Sequence, residues 1–114
     1  MPQAGTLYNK TIDTKENVMY TELKNAMKGK KAVSVSKSIV GVMVRHYSTN
    51  IFVAREGHVQ ISSGGLFSNT TKKHINDCFR AIGMNASVYQ RDYTWYVETN
   101  GIEQVFFDGM VVNW

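Results

Sequence analysis

Ser62-Ser63-Gly64-Gly65-Leu66-Phe67-Ser68-Asn69-Thr70-Thr71-Lys72-Lys73-His74-Ile75-Asn76 is where this chain changes its period. It reads as the end of a strand, a glycine-mobile loop, helix-cap hydroxyls at Thr70 or Thr71, and a basic first helical turn. Downstream, Ile75, Cys78, Phe79 and Ile82 recur at i, i+3, i+4 and i+7, which predicts a helix over 71–83 with one apolar stripe. Gly83 supplies its stop. Upstream, Ile51-Phe52-Val53-Ala54 and His58-Val59-Gln60-Ile61-Ser62 flank Arg55-Glu56-Gly57, read as a hairpin with a three-residue loop. A helix that buries one stripe needs a sheet to cover, and the neighbouring strands supply it.

Working toward the N-terminus, Ile39-Val40-Gly41-Val42-Met43-Val44 is a continuous apolar run, expected as a central strand covered on both faces. Tyr47-Ser48-Thr49-Asn50 reads as a turn. Val33 and Val35 alternate with serines. Met19, Tyr20, Leu23, Ala26 and Met27 predict a helix near 16–28, stopped by Gly29. Asp13-Thr14-Lys15-Glu16 has the spacing of a capping box ahead of it. Residues 1–12 have no period and are expected as a mobile arm or a short edge strand, with 13–114 forming one domain.

Toward the C-terminus, Val88-Tyr89-Gln90 turns through Arg91-Asp92 into Tyr93-Thr94-Trp95-Tyr96-Val97-Glu98. Asn100-Gly101 favours a type I′ hairpin turn, and Asp108-Gly109 repeats the signal before Met110-Val111-Val112. The expected architecture is α+β: an antiparallel sheet of about five to seven strands packed against one or two helices.

At 114 residues and 43% hydrophobic content, the chain has the makings of one modest core. No apolar run approaches the roughly 18 residues needed to span a bilayer, and Met1–Thr6 lacks the form of a signal peptide. The lone cysteine, Cys78, excludes an internal disulfide and fits a reducing compartment. The net charge of +4 is uneven: residues 1–50 hold eight Lys/Arg against three Asp/Glu, residues 51–114 five against six. Lys24, Lys28, Lys30 and Lys31 form the densest basic run. Such a run marks either a surface for an anionic partner or a solvated helix end.

Helix N-termini carry unsatisfied N–H groups and attract anions, so lysines at Lys72 and Lys73 stand where carboxylates are usual. That is a site for an anionic partner or merely a cap. No P-loop spacing is present, which removes nucleotide hydrolysis. His46, His58 and His74 show no paired ligand spacing, so no metal or cofactor is expected. Cys78 falls on the helix's buried stripe, where a thiol is inert. Asp92, Glu98, Glu103 and Asp108 fall at turns or strand ends, and no carboxylates are paired for acid–base work, so an enzyme is the least expected class. Tyr89, Arg91, Tyr93, Trp95 and Tyr96 interleave rings with a base on one hairpin, a pattern used to stack single strands. Alternation sends Tyr93, Trp95 and Val97 to one face and leaves Tyr89 and Tyr96 outside.

Ser63-Gly64-Gly65, Thr70-Thr71-Lys72, Ile75-Asn76, Val88-Tyr89-Gln90, Trp95-Tyr96-Val97 and Asp108-Gly109-Met110 occur in order across 45–110. This series resembles a small domain family of unknown function in bacteriophage and prophage proteins. The chain departs from it at Leu66, where the family usually has tryptophan, and at Ser68, where threonine is frequent. The resemblance implies a phage origin and a shared fold, and supplies no activity.

Two functions follow as expectations. The first is a non-enzymatic phage protein, in the cytoplasm of an infected bacterial host, that contacts nucleic acid. Its candidate residues are Lys28, Lys30, Lys31, Ser63, Gly64, Gly65, Phe67, Thr70, Thr71, Lys72, Lys73, Arg91 and Tyr96. The second is a phage-encoded inhibitor of a host defence protein or ribonucleoprotein complex, of anti-CRISPR or anti-restriction type. No membrane partner is expected. An exposed edge strand could pair two copies as a homodimer.

Overall fold

The structure, a computed structural model, describes residues 15–114. The expected arm over 1–12 and the Asp13 end of the capping box lie outside the described residues. In chain order the elements are α1 (Lys15–Ala26), β1 (Val33–Ser38), β2 (Gly41–His46), β3 (Thr49–Arg55), β4 (His58–Ile61), α2 (Asn69–Ala81), β5 (Ala86–Arg91), β6 (Thr94–Thr99), β7 (Ile102–Val105) and β8 (Met110–Asn113).

The class is α+β, but the strands divide into two antiparallel sheets, one ordered β1-β2-β3-β4-β8 and the other β5-β6-β7. The second Asp-Gly signal does not close a hairpin. Met110 instead pairs with Ile61, and Val112 with Val59, so β8 returns to the first sheet beside β4. Phe106 and the Asp108-Gly109 turn carry the chain between sheets.

One face of the larger sheet is apolar across the register. Val42, Ala54, Val59 and Val112 form one row; Val44, Phe52, Ile61 and Met110 form the next. Both rows are buried, together with Met19, Leu23 and Met27 from α1 and its end. The predicted stripe of α2, Ile75, Cys78, Phe79 and Ile82, closes the same core. The Phe79 ring meets Phe52 edge-on at 5.3 Å. On the second sheet Val88, Trp95 and Val97 point inward.

Four local readings are corrected. The run from Ile39 to Val44 is a hairpin rather than one buried strand: Ser38 pairs with Gly41, and Ile39 sits in the turn, 89% exposed. Gly41 is what permits it, with φ of +125° and a position where a Cβ would lie 2.6 Å from the Ala54 carbonyl. The β3–β4 loop has two residues, Glu56-Gly57, because Arg55 already pairs with His58. The β5–β6 turn is Asp92-Tyr93, both at positive φ, which throws Tyr93 out of the Trp95 row and leaves it 96% exposed. Thr49 and Asn50 belong to β3, so only Tyr47-Ser48 turns.

Candidate functional site

The loop between β4 and α2 is pinned, in contrast to the mobile loop expected. Ser63 donates its N–H and its hydroxyl to Asp108 Oδ1 at 2.6 and 2.8 Å. The Gly65 N–H donates to Ser63 Oγ at 3.0 Å, and the Gly109 N–H to Ser62 Oγ at 2.9 Å. Loop and turn 106–109 are therefore stapled together. Gly64 holds a φ of +67°, and a Cβ there would fall 2.1 Å from Thr49 Oγ1 on β3. Only glycine fits that approach.

The helix cap is Ser68, ahead of the expected Thr70 or Thr71. Its hydroxyl accepts from the Thr71 N–H at 3.1 Å and meets the Thr71 hydroxyl at 3.1 Å. Thr71 is fully buried, so its hydroxyl has no access to a ligand; Thr70 is exposed. What remains open to an anion at this helix start is Thr70 and the lysine pair.

Those lysines belong to a larger cluster. Asp77, one turn along α2, is reached by Lys73 at 3.1 Å, by Lys30 at 3.3 Å and by Arg80. Burial pushes the Asp77 carboxyl up, but hydrogen bonds and charge from Lys73 and Lys30 outweigh it and hold the group below its ordinary value. Lys72 leans the other way, donating to Gln90 Oε1 at 3.1 Å with its ammonium 5.5 Å from the Trp95 ring centre. Three cations therefore share one carboxylate, with Lys72 as a fourth cation beside them, along a groove between α2 and β5 lined also by Asn69, Asn76 and Tyr89. The contact from Lys30 brings the turn after α1 to this groove. Lys28 and Lys31 flank Lys30 and form no ion pair among the described residues.

Arg91 and Tyr96 stand apart, on the outer face of the second sheet. Arg91 is held by both oxygens of Glu103, at 3.0 and 3.1 Å, and its guanidinium carbon lies 4.4 Å from the Tyr96 ring centre. Its charge is balanced, unlike that of the groove lysines. Tyr89 stacks on Tyr96 at 5.9 Å and lines the groove as well, so it joins the two regions. Phe67 is 58% exposed and rests edge-on against buried Trp95 at 4.9 Å. Leu66, next to it in the chain, and Phe107, next to Phe106, are also exposed.

Sequence reasoning missed Asp77, Arg80, Gln90 and Asp108. Asp77 was findable: it stands i+4 from Lys73 and i−3 from Arg80, where opposite charges meet on a helix. Asp108, which pairs with Ser63 across 45 residues, carried no local signal.

Among the described residues no group of three or more His, Cys, Asp or Glu could hold a metal, and no helix is long and apolar enough to cross a membrane. Cys78 is fully buried, and burial pushes its thiol far up. His74 is buried edge-on to His46 with ring centres 4.9 Å apart, and its Nδ1 has no hydrogen-bond partner. Burial first, then the positive influence of His46 and Lys30, lowers its pKa from the ordinary 6.5.

With this geometry in place, residues 9–113 match the family model of the Kyanoviridae Gp96 protein. The chain belongs to that family. Kyanoviridae Gp96 proteins are phage proteins of unknown activity, and the match extends the resemblance seen over 45–110 to nearly the whole chain. No curated protein and no solved structure matches the chain significantly.

Proposed function

We propose that this Kyanoviridae Gp96 protein is a non-enzymatic protein that binds single-stranded nucleic acid in the host cytoplasm. The observation that carries the reading is the groove between α2 and β5, where Lys30, Lys73 and Arg80 share the carboxylate of Asp77 and Lys72 beside them is hydrogen-bonded only to the neutral Gln90. Excess positive charge in a groove attracts a phosphate backbone, and rings beside it give bases a surface to stack on. Tyr89, stacked on Tyr96 at the groove's edge, is such a surface.

Labelled single-stranded DNA and RNA, titrated at several salt concentrations, test it. Three or four phosphate contacts predict that log affinity falls against log salt with a slope of about −2 to −3. Absence of binding to either strand at low salt would overturn the reading.

Exposed Leu66, Phe67 and Phe107 favour a second reading, an inhibitor docking on a host defence complex through an apolar patch. A stable complex with a purified CRISPR or restriction effector, unaffected by salt, would support it over the first.

A further inference from the structure

The two edges of the β5-β6-β7 sheet are treated in opposite ways. On β5, the Asn76 side chain bonds both main-chain groups of Val88, donating to its carbonyl at 2.9 Å and accepting from its N–H at 2.7 Å. On β7, no described residue caps the edge, and all four residues, Ile102-Glu103-Gln104-Val105, are exposed. The unpaired main-chain groups of such an edge are a template for pairing with another chain.

From these observations we infer that β7 pairs with β7 of a second copy, antiparallel about a two-fold axis through Gln104, to form a continuous six-stranded sheet. The main-chain pattern is self-complementary. Thr99 pairs with Ile102 across the hairpin, and the Phe106 N–H donates to the Trp95 carbonyl at 2.9 Å. In an antiparallel ladder the bonded direction alternates, so Ile102, Gln104 and Phe106 face β6 while Glu103 and Val105 turn outward. Two outward residues spaced by two give a matched set: Glu103 opposes Val105 of the second copy, and Val105 opposes its Glu103.

Charge disfavours the register centred on Glu103. Centring the pair on Glu103 would set two carboxylates opposite each other, which is destabilising. Centred on Gln104, each carboxylate meets a valine instead. It is already neutralised within its own copy by the Arg91 guanidinium, and the Tyr89 hydroxyl donates to it. The edges therefore meet without like-charge repulsion. The pairing also covers Ile102 and Val105, 68% and 57% exposed in one copy. A two-fold axis perpendicular to the sheet keeps both Tyr89–Tyr96 faces on one side.

Sedimentation equilibrium of the whole chain tests the state, and three variants test the register. The wild type is expected at dimer mass. Val105→Glu places a carboxylate opposite Glu103 and should give monomer, with an unchanged circular dichroism spectrum because this side chain is exposed. Val105→Lys places an ammonium there and should keep the dimer. Gln104→Cys faces its own copy across a non-bonded pair, within disulfide reach, and should give a cross-linked dimer under mild oxidant. Buried Cys78 leaves the oxidised wild type uncross-linked. A wild type that is monomeric at high concentration would overturn the proposal. So would a dimer indifferent to Val105→Glu, a Gln104→Cys chain that does not cross-link, or a monomer that takes up an extended peptide along β7.

Discussion

Asn76 binds Val88 as a neighbouring strand would, using one side-chain amide for both an N–H and a carbonyl. The contact fastens α2 to the edge of the second sheet, so the groove that carries the lysines has a fixed width. Asn76→Ala would leave two partly buried main-chain groups without partners, a loss of about 2–3 kcal/mol. Asn76→Asp should also destabilise, because a carboxylate accepts from the N–H but repels the carbonyl. Thermal unfolding measures both, and a loss below about 0.5 kcal/mol for the alanine variant would make the contact incidental.

Phe79 carries the packing of α2 onto the larger sheet. It is fully buried and meets Phe52 edge-on at 5.3 Å. Phe79→Ala should cost roughly 3–5 kcal/mol of stability, as for other buried aromatics. Unfolding that shifts by under about 1 kcal/mol would contradict helix-on-sheet packing as the centre of the core.

What the sequence made legible was whatever depends on neighbours within a few residues. The stripe Ile75, Cys78, Phe79 and Ile82 was readable because a helix repeats its burial every turn. Asn100-Gly101 was readable because few residue pairs accept two positive φ values. Tyr93 was not, since a strong strand former at φ of +66° contradicts its own propensity. Ile39 and Val40 misled in the same way, as β-branched residues spent on a turn. The exit of β8 to the larger sheet is a long-range choice, made by Met110 and Val112 completing rows begun at Val44 and Val42. Of the candidate site, the lysines were visible and their shared carboxylate was not. Lys30 and Asp77 stand 47 residues apart, and only the docking of α1 against α2 joins them.

Buried His74, edge-on to His46, sets an acid limit on stability. His74 is held below 6.5 in the fold by burial, with His46 and Lys30 adding to the effect; Asp77 opposes it. The unfolded chain therefore takes up this proton first on acidification. Stability is complete above about pH 6.5 and declines as pH falls from there toward the lowered folded value. Asp77 adds a second decline below its ordinary 3.8, because its folded carboxyl is also held low. Denaturant titrations across this range should show the first step, and His74→Gln should flatten it. A wild-type profile level between pH 7 and 5 would contradict an unsatisfied, buried His74.

Lys72 and Lys73 decide between a binding groove and a helix end that is merely capped. Lys72→Glu with Lys73→Glu should leave the fold intact. Acidic side chains suit a helix N-terminus, which offsets the repulsion of about 0.3–0.5 kcal/mol between a new Glu at 73 and Asp77. Binding to a single strand should weaken, and the salt slope should flatten by about 1.4 if each lysine meets one phosphate. Asp77→Asn separates the readings further. It removes the one carboxylate that Lys30, Lys73 and Arg80 share. A groove for phosphates should then bind more tightly and with a steeper salt slope, although the variant loses stability with its ion pairs. Should the lysine double variant bind with the wild-type slope while Asp77→Asn gains nothing, these cations serve only to neutralise Asp77, and a protein partner on the Leu66–Phe67 side becomes the better reading.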